Sequence, residues 1–204
     1  LMQAYPDEIG KMDFARRRDA FCGKFSVMDV FYQYGLKFTN LVPHVVHPSS
    51  AEFAENLNEF AAVCRVVKRM KRLTMGAIGA RTSAFKTVRF DELALQKYGI
   101  TTETMDLLEI AHRMDSLDAA SQIVKDKLAH LAEYADCSKA PVSSLENLAK
   151  LSVVLDEVVD ELKLDAISIR CWMELEKVFK IAPCILLSDL NNRGIPAACE
   201  LDVG

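Results

Sequence analysis

Apolar positions along the chain fall into two rhythms. One recurs every three to four residues, as on a helix face; the other forms short apolar or alternating runs bounded by glycine, proline or polar clusters, as in strands. Phe25, Met28, Val30, Phe31 and Tyr34 predict a helix that stops at Gly35. Residues 38–46, rich in Phe, Leu and Val, predict a strand, which Pro43 confines to an edge or an end. Ser49 with Glu52 predicts a capping box. The long helix behind it sets Phe53, Leu57, Phe60, Ala61, Cys64, Val67 and Met70 on one face. Its basic last turns, with Arg65, Lys68, Arg69, Lys71 and Arg72, complement the partial charge of a helix C-terminus.

The alternation continues. Residues 74–79 read as a short buried strand ending in glycines, 86–98 as a helix stopped by Gly99, and 100–107 as a strand. Residues 108–135 read as one or two helices, with 116–118 capping the second. Behind Pro141, Ser143 with Glu146 predicts another capping box. It opens a helix to Leu162 with Leu145, Leu148, Leu151, Val154, Leu155 and Val158 inward. Residues 165–172 predict a strand, 173–179 a short helix, 183–187 an apolar strand and 191–194 a turn. Strands and helices in alternation predict an α/β fold: a Rossmann-like, doubly wound parallel sheet with helices on both faces. Residues 1–37, with the charge run Arg16-Arg17-Arg18, read as a lead-in segment, which the family resemblance given below implies to be the tail of a preceding domain. No long linker divides 38–204, which read as one domain.

Composition narrows the function classes. Half of the 204 residues are hydrophobic and 26% are charged, enough for a sizeable core. The net charge of −4 gives no electrostatic case for nucleic acid or an anionic membrane. No apolar run approaches the roughly 20 residues of a membrane helix. The first residues lack the pattern of a signal peptide, and the chain does not open on Met, so it reads as part of something longer. Six cysteines without a Cys-x-x-Cys pair read as reduced, buried core thiols, which suits a cytoplasmic protein.

Candidate chemistry gathers at strand ends, where parallel sheets collect ligands. The first end is Gly76-Ala77-Ile78-Gly79-Ala80-Arg81-Thr82, whose glycines admit a ligand and whose Arg81 suits an anion or a sugar hydroxyl; a plain tight turn explains it equally well. At the second, Arg170 offers donors and Trp172 a flat face for a sugar ring, although a lone Trp is more often core. The third, residues 195–202, brings Glu200 and Asp202 to a place where a carboxylate can ligate a hard cation or act as a base. On residue chemistry alone a helix N-terminus, where the dipole favours Glu and Asp, explains those acids better. His44 and His47 are flanked by Pro43 and Pro48, which discourages joint metal binding; His112 and His130 read as helix positions. No glycine fingerprint for a dinucleotide is present.

Five segments occur together in order: Arg17-Arg18-Asp19-Ala20-Phe21-Cys22-Gly23-Lys24, Tyr32-Gln33-Tyr34-Gly35, Gly76-Ala77-Ile78-Gly79-Ala80-Arg81, Cys171-Trp172 and Pro196-Ala197-Ala198-Cys199-Glu200-Leu201-Asp202-Val203. On these the chain resembles the L-fucose isomerase family and its L-arabinose isomerase relatives. The resemblance implies an oligomeric enzyme with two Rossmann-like N-terminal domains and a C-terminal domain. This chain resembles the end of the first and the second, without the C-terminal domain. The implied activity is Mn²⁺-dependent aldose–ketose isomerisation through an ene-diol, with a small-molecule sugar substrate and a homo-oligomeric assembly. Glu200 falls at the family's catalytic Glu, a metal ligand and general base. The partner Asp and His ligands fall beyond Gly204, and Asp202 does not occupy the Asp position. Arg170 stands where the family commonly has Gln, a departure that leaves the substrate open between the family's usual sugars, an anionic or otherwise unusual sugar, and loss of isomerase activity in a divergent member. Arg170, Trp172 and Arg81 are the implied substrate contacts. The fragment alone is expected to be inactive. The alternative is a non-catalytic sugar-binding or oligomerisation domain of a divergent family member.

Overall fold

The computed structural model describes residues 1–8, 10, 13 and 17–204; Arg16, in the charge run, lies outside the described residues. The chain divides into two compact units, Leu1–Lys68 and Arg69–Gly204.

In the first unit, β1 (Met2–Ala4) runs parallel to β2 (Asn40–Val45), joined through α1 (Ala20–Gln33). The α1 stop is the one expected: Gly35 takes φ 67°, and Leu36 N–H reaches back to the Phe31 carbonyl at 2.8 Å. Lys24 is buried; its Nζ meets His44 Nδ1 at 3.1 Å and the His44 carbonyl at 3.3 Å. His47 instead faces the Tyr5 hydroxyl and Ser49, so the two histidines do not converge. Because β2 is hydrogen-bonded to β1, residues 40–45 stay with the first unit, and the division at Lys68 departs from the boundary at residue 37 read from the sequence. The helix α2 (Ala51–Met70) closes the unit. Its cap is Ser50, whose Oγ accepts from Phe53 N–H at 3.2 Å, not the expected Ser49, whose hydroxyl is taken by His47.

The second unit is built on four parallel strands in the order β4-β3-β5-β6: β3 (Leu73–Ile78), β4 (Ile100–Met105), β5 (Ala166–Ile169) and β6 (Ala197–Cys199). This is the expected parallel α/β architecture. Every residue of β5 and the last four of β3 are buried, as suits central parallel strands covered on both faces. Gly99 fits the turn into β4: its φ is 85°, and a Cβ there would strike the Lys71 backbone.

The helices are α3 (Glu92–Gln96), α4 (Leu107–Ser116), α5 (Gln122–Tyr134), α6 (Val142–Leu162), α7 (Glu174–Val178) and α8 (Cys184–Asn192). The central one is α6, which buries nine residues, among them Leu148, Leu151, Val154, Leu155 and Val158. Ile110, Met114, Val124, Leu131, Leu186 and Leu190 from α4, α5 and α8 belong to the same core. Each large aliphatic side chain so buried contributes about 1.5–3 kcal/mol. A charge network crosses these helices: Asp156 pairs with Lys127 and with Arg193 at 2.7 Å, and buried Asp189 holds Arg193 at 3.0 Å and His130 at 2.7 Å.

Several elements differ from those expected of the sequence. Residues 183–187 are not a strand: Pro183 precedes α8, whose buried Leu186, Leu187 and Leu190 follow helical spacing. Residues 86–98 are not one helix, because the Asp91 carboxylate accepts from Ala94 N–H and starts a fresh turn after a 3₁₀ turn at Lys86–Val88. Ser143 makes no cap; Pro141 precedes α6, with no side-chain cap bond. Residues 116–118 do not cap α5, which follows Ser121. The cysteines are not uniformly core: Cys171 is buried, Cys137 and Cys199 are half-buried, and Cys22, Cys64 and Cys184 are exposed. Among the described residues no helix is long and apolar enough to cross a membrane.

Candidate functional site

Strand order decides where a ligand would sit. From β3 the chain goes to β4 on one side and later to β5 on the other, so the carboxyl ends of β3 and β5 flank a switch point, where open α/β sheets bind ligands. The three ends singled out from the sequence, after Ile78, Ile169 and Cys199, lie on three successive strands of this sheet.

At the end of β3, Gly79 has φ 91°, and a Cβ there would come within 3.1 Å of Arg170 Cβ. A side chain at residue 79 would be strained and would crowd the neighbouring strand. Arg81 turns its Nη1 onto the Thr82 and Ser83 carbonyls, 3.0 Å each, bracing its own loop. Past β5, Arg170 donates through Nε to the Trp172 carbonyl at 3.1 Å and pairs with Glu174 at 2.6 Å. Thr82 Oγ1 donates to the same Trp172 carbonyl at 3.1 Å, tying the two strand ends together. The Trp172 ring, 39% exposed, stacks on Phe85 with centroids 5.1 Å apart and planes 12° from parallel. One face of the indole is therefore covered by Phe85.

Beyond β6, Glu200 and Leu201 take consecutive left-handed conformations, φ 59° and 63°. Neither is glycine, and each such residue costs about 1–2 kcal/mol. Two contacts hold the turn: Leu201 is buried, and Asp202 N–H reaches the Cys199 carbonyl at 3.0 Å. This turn brings the Glu200 carboxylate back to the end of β5, where the Cys171 thiol donates to its Oε1 at 3.0 Å. Cys199 Sγ lies 3.0 Å from Cys171 Sγ and 3.9 Å from Oε1. The second carboxylate oxygen, Oε2, is buried with no hydrogen-bond partner. Leaving such an oxygen unmatched costs about 1–3 kcal/mol.

Burial pushes the Cys171 thiol well above its ordinary pKa, and the bonds to Cys199 and Glu200 push it further. Burial likewise raises the Cys199 thiol. Both therefore remain S–H at neutral pH. Ligand atoms of Cys171, Cys199 and Glu200 all lie within 4.8 Å of one another. The donor set mixes two soft thiols with one hard carboxylate, and only the carboxylate suits a hard divalent cation.

Sequence reasoning named Glu200, Arg170, Trp172 and Arg81 and missed the thiols. Cys171 and Cys199 are 28 residues apart and meet only because β5 pairs with β6. Their one sequence signal is that each lies at a strand end. Two open cavities flank α4. One of about 550 Å³ is lined by Asp106, Leu108, Glu109, His112, Arg113 and Ser116. The other, about 230 Å³, is mostly apolar and lies between α4 and α7. Neither is lined by Glu200.

Comparison with known proteins agrees with the sequence resemblance. Residues 1–71 match the family described as fucose/sulfoquinovose isomerase, N-terminal domain. The chain is similar to the sulfoquinovose isomerase of Alkalicoccus urumqiensis, 25% identical over 162 residues, covering 77% of this chain and 35% of that protein. It is similar to that of Clostridium sp. (strain MSTE9), 24% identical over 168 residues, covering 76% and 35%. It is also similar to that of Priestia megaterium (strain ATCC 12872 / QMB1551), 25% identical over 165 residues, covering 77% and 35%. The chain thus spans about a third of the length of the curated relatives it matches. The match ending at residue 71 runs close to the division between the two compact units.

Proposed function

We propose that the full-length protein carrying this chain is an aldose–ketose isomerase acting on a sulfonated sugar, sulfoquinovose, and that Glu200 serves as its general base and as a metal ligand. The observation that carries the reading is the state of Glu200. Its backbone is strained, one carboxylate oxygen is held by Cys171, and the other is buried without a partner. A buried polar atom left unmatched by its own fold is what a ligand would complete. The relatives named sulfoquinovose isomerase supply the substrate class. The cation at Arg170, where related enzymes commonly have Gln, is consistent with a sugar carrying a fixed negative charge.

Mn²⁺ is the implied metal. Glu200 Oε2 fits it as one hard ligand, and the two thiols do not. When bound, the ion would hold neighbouring sugar oxygens and lower the barrier to proton removal. Glu200 would take the proton from the carbon beside the carbonyl and return it to the neighbouring carbon, the proton shuttle an ene-diol route requires. Arg170 would hold the sulfonate and Arg81 a sugar oxygen, while Trp172 would present its free face to the ring. One carboxylate by itself holds Mn²⁺ poorly, so the activity is proposed for the full-length protein and not for these 204 residues alone. We assign residues 1–68 to the close of an N-terminal domain and 69–204 to a second, Rossmann-like one. A homo-oligomer in the cytoplasm is the setting proposed, consistent with the free thiols.

The test is to follow the full-length protein with sulfoquinovose and Mn²⁺ in D₂O by NMR. The ketose should form with solvent deuterium at its C1, and chelation of the metal should stop turnover. Absence of ketose, or turnover indifferent to chelation, would overturn the reading.

A further inference from the structure

We propose that Cys171 is a positioning residue for Glu200: its thiol holds Oε1 and so turns Oε2 toward the proton or cation that the carboxylate serves. The inference rests on the isomerase reading above and adds a group that reading does not use.

A carboxylate without a partner turns freely. Its terminal torsion is broad, so a glutamate without a partner samples many orientations. Here Oε1 is fixed by the Cys171 thiol at 3.0 Å. Cys171 is itself buried, two residues past the last residue of β5. Arg170, its chain neighbour, is tied to β3 by its N–H to the Ile78 carbonyl at 2.9 Å. The donor is thus mounted on the rigid centre of the sheet, whereas the acceptor sits on a strained turn at the last strand.

Cys199 completes the arrangement. A thiol has one proton to give, and that of Cys171 is committed to Glu200. The 3.0 Å contact between sulfurs therefore has Cys199 donating to Cys171, giving a relay from Cys199 to Cys171 to Glu200. Cys199 is 3.9 Å from Oε1 and contributes through Cys171. Groups that orient a ligating or catalytic carboxylate are worth about 10–100-fold in activity or metal affinity.

The experiment measures kcat and KM of the full-length protein on sulfoquinovose at saturating Mn²⁺, with melting temperatures alongside. Cys171→Ala should lower kcat about 10–100-fold with KM within about threefold of the parent. Cys171→Ser, which keeps a donor, should recover kcat to within about threefold of the parent. If the alanine variant fails to fold, Cys171→Val fills the space without a donor and should show the same loss. Full kcat in a donor-less variant, or a folded Cys171→Ser as slow as Cys171→Ala, overturns the positioning role. Glu200→Gln separates the two levels: if it abolishes turnover while Cys171→Ala does not, only the inference fails. If Glu200→Gln keeps turnover, the reading fails and takes the inference with it.

Discussion

Two groups of polar side chains lie at the carboxyl ends of one sheet, and they differ in how far the chain satisfies them. Beyond β3 and β5, Arg81 donates to two carbonyls, and Arg170 divides its guanidinium between the Trp172 carbonyl and the Glu174 carboxylate. Beyond β6, Glu200 has one oxygen on a thiol, a weak donor, and the other on nothing, over a backbone that is itself strained. A side chain whose bonds are already made is preorganised and can lend donors to a ligand only by sharing them. A buried side chain whose bonds are unmade lowers stability until something completes it. The first arrangement suits recognition, the second chemistry.

The contrast is open to attack by substitution. The fully matched extreme is Asp156: burial alone would raise its pKa, but the bonds to Arg193 and Lys127 outweigh burial and hold it below the ordinary carboxylate range. A carboxylate depressed in the fold stabilises it above the unfolded value, and that contribution is lost as pH falls through the folded value. Asp156→Asn should therefore cost about 1.5–2 kcal/mol at neutral pH. In pH-dependent denaturant melts, the gap from the parent should close only below the ordinary carboxylate range. A gap that persists there would mean that packing, not charge, is at stake.

A smaller effect is expected at Arg170, whose cation is shared with Glu174. Arg170→Gln should raise KM for sulfoquinovose about tenfold and leave a neutral aldose such as L-fucose nearly unchanged, since a charge-assisted bond is worth about 1.5–3 kcal/mol before that sharing. Steady-state kinetics on both sugars checks it; equal losses would place Arg170 in structure and not in anion recognition. The smallest shift is at Glu200 itself. Glu200→Met removes the unmatched buried oxygen at similar length and gives up only a weak thiol bond to the other, so the metal-free full-length protein should gain up to about 1 kcal/mol, a rise of at most a few degrees in Tm. A fall in Tm would mean that Oε2 is satisfied in the intact protein.

Much of this architecture could be read from the sequence, because periodicity and stop signals are local. The seam of α6, the Gly35 stop of α1 and the alternation that yields a parallel sheet all rest on spacing within one element. What failed was also local, where two readings share one pattern. The apolar run at 183–187 is too short to tell a strand from a helix, and Ser49 competes with Ser50 for one cap. The covering of α2 was beyond reach for another reason: Leu57, Cys64, Val67 and Met70 lie on the apolar face that spacing predicts yet are exposed here. Spacing reports which face is apolar, not what covers it.

The candidate site divides in the same way. Arg170 and Arg81 could be picked out because each follows a strand, where ligands gather, whereas Glu200 stood out only through the family resemblance, since a helix N-terminus explained its acids better. The Cys171–Cys199–Glu200 relay could not, because it depends on the pairing of β5 with β6 and on a left-handed turn at two residues that do not ordinarily adopt one. Nothing in a lone Cys predicts that its proton will be given to a carboxylate on the next strand.

The most direct measurement is turnover of sulfoquinovose by full-length Glu200→Gln, with bound Mn²⁺ quantified on the same sample. The amide keeps the size of the side chain and removes its charge and basicity. Turnover should fall at least about a thousandfold, the loss of both a general base and a ligand, and Mn²⁺ occupancy should fall with it in a protein that still melts like the parent. Turnover and Mn²⁺ content matching the parent would contradict the account at its centre.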